Sequence, residues 1–175
     1  MLKPIALIGL PGSGKSTVGL QLSRFLKLSF LDSDHTVEEM LHCSIREYFE
    51  SEGEDRFRDV EQLVIEELTQ RTDCVISTGG GAVLRQKNRK YLFERCNTIY
   101  LHSEPTNVFK RIRQDRTRPL LQGDDPLKRL EELYATRDPL YREVACMVVE
   151  TGKLATASVT NHIIEQLALL NIGPA

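Results

Sequence analysis

Five short apolar runs recur along the chain and leave little freedom in how it folds. They are PIALIG (4–9), LSFLD (28–32), CVISTG (74–79), NTIYLH (97–102) and ACMVVE (145–150). Each is nearly continuous in apolar residues rather than alternating, the pattern of a strand covered on both faces. Between them lie longer stretches of helical period. Lys15–Leu26 reads as one helix and Asp55–Arg71 as another, with Phe57, Val60, Val64 and Leu68 on one face at three- and four-residue steps. Further helices are expected over roughly 86–95, 105–114, 126–137 and 157–170, the third opening on Asp125 as cap and Pro126 in its first turn. Strands alternating with helices imply a parallel sheet with right-handed crossovers between two helical layers, a three-layer α/β/α architecture. The 175 residues suffice for one domain with a substantial core, and no repeat or low-complexity linker divides them.

Ligands on such sheets sit beyond the carboxyl ends of the strands. Chemically distinctive residues fall there four times. The loop GLPGSGKST (9–17) follows the first run, Asp32-Ser33-Asp34 the second, Gly79-Gly80-Gly81 the third and Thr151-Gly152-Lys153 the last. Only the fourth run, ending near His102, lacks an obvious chemical group.

Composition narrows the function from the other side. Apolar residues make up 41% and charged residues 27%, as in ordinary globular proteins, and the formal net charge is −2. That balance argues against bulk binding to nucleic acid or to an acidic membrane surface. The apolar stretch before Gly9 is too short for a signal-peptide core or a membrane span, so a soluble cytoplasmic protein with neither partner is expected. Cys43, Cys74, Cys96 and Cys146 are scattered, and the last three sit in or beside apolar runs, which predicts buried free thiols.

Gly9-x4-Gly14-Lys15-Ser16 fits the phosphate-binding P-loop, placed between a strand and a helix as that motif requires. Its glycines let backbone N–H groups turn inward around a phosphate, and the helix adds its positive end. Lys15 would reach the β- and γ-phosphates and the Ser16 hydroxyl would ligate Mg2+. Thr17 is a nearby hydroxyl of less defined role. A glycine-rich turn that merely ends a strand would need neither the lysine nor the hydroxyl. The loop identifies a nucleoside triphosphate but not what receives its phosphate.

Other segments address the acceptor. Asp32 is placed to hold a water on Mg2+ while Asp34 accepts from an acceptor hydroxyl, although one of them capping a helix over 35–43 is the plainer alternative. In GEDRFRDVE (53–61), Arg58 follows core-facing Phe57, and Glu61 lies three residues on, close enough to orient the guanidinium. Arg56 fits a solvated ion pair. Three consecutive glycines at 79–81 cost backbone entropy, which a close approach of backbone to ligand would explain. KRIRQDRTR (110–118) holds five basic side chains and one acid, without interleaved aromatics, and is bracketed by Pro119 and Gly123. It suits a lid closing over phosphates better than a nucleic-acid site. Arg137 is expected to close its helix before Pro139, as a cation at a helix C-terminus.

Taken together, GLPGSGKSTVG, FLDSD, GEDRFRDVE, STGGG, RPLL and RDPLYREVA resemble the shikimate kinase family, in order and at fitting separations over nearly the whole chain. The resemblance implies a nucleoside-monophosphate-kinase-like fold with five parallel strands in the order 2-3-1-4-5. It implies a single kinase domain over 1–175, with a shikimate-binding region at 33–61 and a lid at 112–125, acting as a monomer. The activity implied is phosphorylation of the 3-hydroxyl of shikimate by ATP with Mg2+, in aromatic amino-acid biosynthesis. By position, Asp34, Arg58, Gly79, Gly80, Gly81 and Arg137 are similar to the shikimate contacts. Gly12, Ser13, Gly14, Lys15, Ser16 and Thr17 match the phosphate loop, with Ser16 and Asp32 at the metal. Arg118 resembles the lid arginine that joins Lys15 and Asp34 in catalysis, and Arg111 the residue packed against adenine, with Arg113 as its near alternative. ETGKLATAS (150–158) departs from the family in lacking a proline often found in its adenine-contacting loop. A related small-molecule kinase, such as one acting on gluconate, would share the P-loop but lack the D-x-D, T-G-G-G and R-x-P-L-Y set. A non-catalytic nucleotide-binding regulator would be expected to have lost Lys15, Asp34 or Arg118, and all three are present.

Overall fold

Ile5, Ala6, Leu7 and Ile8 form strand β1 (Ile5–Ile8), each with no exposed surface, at the centre of a five-stranded sheet. The computed structural model describes residues 1–113 and 123–173. β2 (Ser29–Asp32), β3 (Cys74–Ser77), β4 (Asn97–His102) and β5 (Met147–Glu150) complete the sheet. All pairings are parallel and the order is β2-β3-β1-β4-β5, as expected.

The continuous apolar runs follow from covering both faces. Ile5 and Leu7 point toward Val18 and Leu22 of helix α1 (Lys15–Leu26) and Val159, Ile163 and Leu167 of α8 (Thr156–Leu169). Ala6 and Ile8 point the other way, into a cluster with Leu92 of α5 (Gln86–Arg95), Val108 of α6 (Pro105–Ile112) and Leu130, Tyr141 and Val144 of α7 (Pro126–Val144). A third cluster joins Ile76 of β3 to Val37 of α2 (Ser33–Leu41) and to Phe57, Val64 and Leu68 of α4 (Glu54–Leu68). At roughly 25 cal/mol per Å2 of apolar surface removed from water, these layers are the main stabilising contribution.

Three elements differ from the sequence reading. α3 (Ile45–Glu52) was not anticipated: it is only two turns long, and its apolar face of Ile45, Tyr48 and Phe49 is half-buried against the Val37–Phe57 cluster rather than enclosed. It is started by a capping box in which Ser44 and Glu47 satisfy each other's backbone N–H groups. α2 begins at Ser33 rather than near 35, since the Asp32 carboxylate accepts from the N–H groups of Asp34 and His35. α7 does not stop before Pro139 but runs through it to Val144. Pro139 and Ala135, whose carbonyl loses its donor there, are both exposed, and burial of Tyr141 and Val144 offsets the lost helical bond. Asp125 does cap α7, accepting from Lys128 N at 3.0 Å, with Pro126 behind it. Cys74 and Cys96 are buried and Cys43 half-buried, but Cys146 is exposed, because it precedes edge strand β5 rather than lying within it.

Among the described residues, no helix is long and apolar enough to cross a membrane.

Candidate active site

The loop between β1 and α1 folds around its own lysine. Lys15 is buried, and its Nζ donates to the carbonyls of Gly9 at 2.9 Å and Leu10 at 2.8 Å. The first N–H groups of α1 carry no side-chain cap, so they and the helix dipole face the cleft above the loop. Ser16, at the second helical position, donates through Oγ to Asp32 Oδ2 at 2.8 Å and lies 3.1 Å from Ser77 Oγ. Asp32 caps α2 through Oδ1, the plainer reading offered for it, and meets Ser16 through Oδ2. Two hard oxygen donors side by side at a helix N-terminus suit Mg2+, which completes its shell with water and phosphate oxygens rather than with a protein cage. Consistent with that, no group of three or more His, Cys, Asp or Glu side chains gathers as a metal site among the described residues.

Across this loop lies a cleft of about 250 Å3, bounded by Pro11, Gly12, Lys15, Ser16 and Thr17 on one side and Asp32, Asp34, Thr78 and Gly80 on the other. Asp34 is accessible from the cleft, yet the surrounding walls withdraw solvent from its carboxyl. This burial, reinforced by the Asp32 carboxylate and opposed by Lys15, pushes its pKa up to about 6.

The three glycines are explained by their neighbours. A Cβ on Gly79 would stand 2.6 Å from Asp34 Oδ1, one on Gly80 2.8 Å from the Pro11 ring, and one on Gly81 inside the Arg58 guanidinium. The protein's own Asp34, Pro11 and Arg58 thus approach 79–81 closely enough to require glycine at each position. The loop is held from below by Ser33 Oγ, which accepts from Gly79 N at 2.9 Å.

Arg58 is buried on α4, as its position after Phe57 predicts. It donates to Glu61 Oε2 at 2.7 Å and stacks 5.0 Å over the Phe57 ring. Glu61 is itself buried, and burial raises its pKa despite the opposing pull of Arg58 and then Arg137. Arg56, by contrast, pairs with Glu52 on the exposed face. Arg137 lies mid-helix on α7, not at a helix end. Tyr141 follows one turn on, close enough that Arg137 opposes the rise burial imposes on its hydroxyl's pKa, and its Oη donates to the Gly80 carbonyl at 2.5 Å.

A second groove, of about 180 Å3, runs from Gly12, Ser13, Gly14 and Thr17 to Arg111, Thr151, Leu154 and Thr156. Arg111, not Arg113, lines it, and its guanidinium bridges Ser13 O and Gly152 O, each at 3.1 Å. The loop after β5 thus forms the far wall even without its proline. His102, the end of the one strand without an assigned group, is buried between Glu150 at 2.5 Å and Tyr134 at 2.9 Å. Arg118 and most of the proposed lid lie outside the described residues.

Ser33, Ser77 and Tyr141 were not singled out from the sequence as site residues. Ser33 and Tyr141 lie within the quoted D-S-D and R-x-P-L-Y segments, so the signal was present but attached to their charged neighbours. Ser77 reads as one more strand residue.

The chain matches the family model described as shikimate kinase over residues 11–168. It is 52% identical over 174 residues to a shikimate kinase from Paracidovorax citrulli, covering 97% of this chain and 94% of that protein. To a shikimate kinase from Ralstonia nicotianae it is 49% identical over 168 residues, covering 96% and 88%. In structure it is similar to a shikimate kinase from Acinetobacter baumannii in complex with shikimate, with a TM-score of 0.91, 42% identity and coverage of 98% and 95%. Similarity to a gluconokinase from Sinorhizobium meliloti, at 22% identity and a TM-score of 0.67, reflects the shared fold alone. By sequence over nearly its full length and by fold, the chain belongs to the shikimate kinase family.

Proposed function

We propose that the chain transfers the γ-phosphoryl group of ATP to the 3-hydroxyl of shikimate, with Asp34, Arg58, Arg137 and the 79–81 loop holding the acceptor. The observation that carries this reading is the single cleft shared by Lys15 and Ser16 on the donor side and Asp34 and Gly80 on the acceptor side. Shikimate is a small carboxylate bearing hydroxyls. Arg58 and Arg137 supply charge-assisted bonds to its carboxylate, and Glu61 keeps the Arg58 guanidinium aimed. Asp34 accepts from the attacking hydroxyl and orients it, which a loose transition state requires more than early proton removal. The P-loop amides and Lys15 hold the phosphates, Arg111 borders the base, and Arg118 is assigned to the lid over 112–125.

Mg2+, held by Ser16 directly and by Asp32 through water, would neutralise charge on the β- and γ-phosphates. The remaining rate enhancement comes from positioning both reactants in a water-poor cleft. The chain is read as one kinase domain acting as a cytoplasmic monomer, without a nucleic-acid or membrane partner.

Product analysis tests this reading. With MgATP and shikimate, phosphorus–proton correlation by NMR is expected to show a single ester on the 3-oxygen. A phosphate on another hydroxyl, or hydrolysis of ATP with no ester, would show that Asp34 does not orient the 3-hydroxyl.

A further inference from the structure

Arg58 is fixed by an acid on its own helix, but Arg137 has no equivalent acid at its side on α7. Its neighbour on the same helical face, one turn later, is Tyr141, whose hydroxyl feels the Arg137 charge. Tyr141 is 1% exposed, and its ring lies 4.9 Å from that of Tyr100 in a core where phenylalanine would fill the same volume. What phenylalanine lacks is the hydroxyl, which donates to the Gly80 carbonyl and lies near Arg137, one turn back on the same face, so that both of its neighbours belong to the proposed site. Gly80 belongs to the loop that abuts Asp34 at Gly79 and Arg58 at Gly81. The next residue along the helix, Asp138, is tethered separately, accepting from Tyr100 Oη at 2.8 Å.

We propose that Tyr141 is a positioning residue for the acceptor site: its hydroxyl holds the Arg137 guanidinium in register with the 79–81 loop, and so with Arg58. The two arginines of the clamp come from different helices, and this bridge fixes the distance between them before the acceptor arrives. A carboxylate then binds without ordering a free arginine side chain, whose immobilisation otherwise opposes binding. The inference rests on the clamp reading of Arg58 and Arg137 given above.

The test is a double-mutant cycle in the full chain with Tyr141→Phe and Arg137→Ala, measuring the KM of shikimate, the KM of ATP, kcat and Tm. Tyr141→Phe is expected to raise the shikimate KM about tenfold, the scale of a lost hydrogen bond to a charged group. The ATP KM and kcat at saturation should stay within about twofold, and in the Arg137→Ala background the same substitution should have almost no further effect on shikimate. An unchanged shikimate KM would overturn the proposal. So would a parallel rise in both KM values with a fall in Tm, or a Phe variant that does not fold, since each assigns Tyr141 to the scaffold. An effect undiminished in the Arg137→Ala background would overturn it as well. If Arg137→Ala alone leaves shikimate binding intact, the clamp reading fails too; if it weakens binding while Tyr141→Phe does not, only the positioning role fails.

Discussion

At Asp34 the catalytic role proposed above and stability pull in opposite directions. The residue sits between Asp32 and Glu61, with Lys15 as the nearby cation, and its carboxyl titrates near 6 rather than at its ordinary 3.8. Between those values the folded protein binds a proton that the unfolded chain has released. Stability therefore falls as pH rises through this window and stays reduced above it. Replacing Asp34 by Asn removes the ionisation. In ligand-free protein kept metal-free with chelator, Asp34→Asn is expected to raise Tm at pH 8, and the gain should vanish by about pH 4, where both forms are neutral. Calorimetry at the two pH values checks this; a variant less stable than wild type at pH 8 would contradict the electrostatic reading. The same variant should lose kcat by about 10²–10⁴-fold, the usual scale for a positioned acid–base group, while the KM of ATP moves little. The role proposed for Asp34 comes from the sequence, where D-x-D falls beyond a strand at the ligand edge. The reason for Gly79–Gly81 was not legible there, because it lies in atoms brought close only by folding: Asp34, Pro11 and Arg58 fill the places where side chains would stand.

At the scale of elements, two sets of backbone segments divide the work. On the proposed reading, α1 and the loop after β5 border the nucleotide groove, whereas α2, α4, α7 and the 79–81 loop carry the acceptor groups. Hydrogen exchange should resolve this division. Shikimate alone is expected to slow exchange in residues 33–37 and 79–82, and a nucleotide alone in 12–18 and 151–156. Protection of 151–156 by shikimate would contradict the assignment of the two halves. The strands were legible because a central strand buried on both faces must be apolar throughout, as Ile5–Ile8 is. α3 was not, because its apolar stripe is short, Ile45, Tyr48 and Phe49 within two turns, and only half-buried, with the Ser44–Glu47 cap fixing its start. The full length of α7 was hidden by Pro139, a residue that usually ends a helix. Here Tyr141, beyond it, is fixed by its bond to Gly80.

In the molecule as a whole, the sheet gathers distant parts of the chain at one edge. P-loop, D-S-D, glycine loop and post-β5 segment are separated by up to more than a hundred residues in sequence, yet each follows the carboxyl end of a parallel strand. Once the alternation of strands and helices was read, this convergence could be anticipated from topology alone. The distances could not: whether Ser16 meets Asp32, or Tyr141 meets Gly80, depends on packing between layers.

The identity of the acceptor is tested most directly by ADP release from the purified chain with MgATP and, in turn, shikimate, gluconate or no acceptor. Release should be strong with shikimate and remain near the acceptor-free background with gluconate. Equal rates with both acceptors, or no stimulation by shikimate, would contradict the site as assigned.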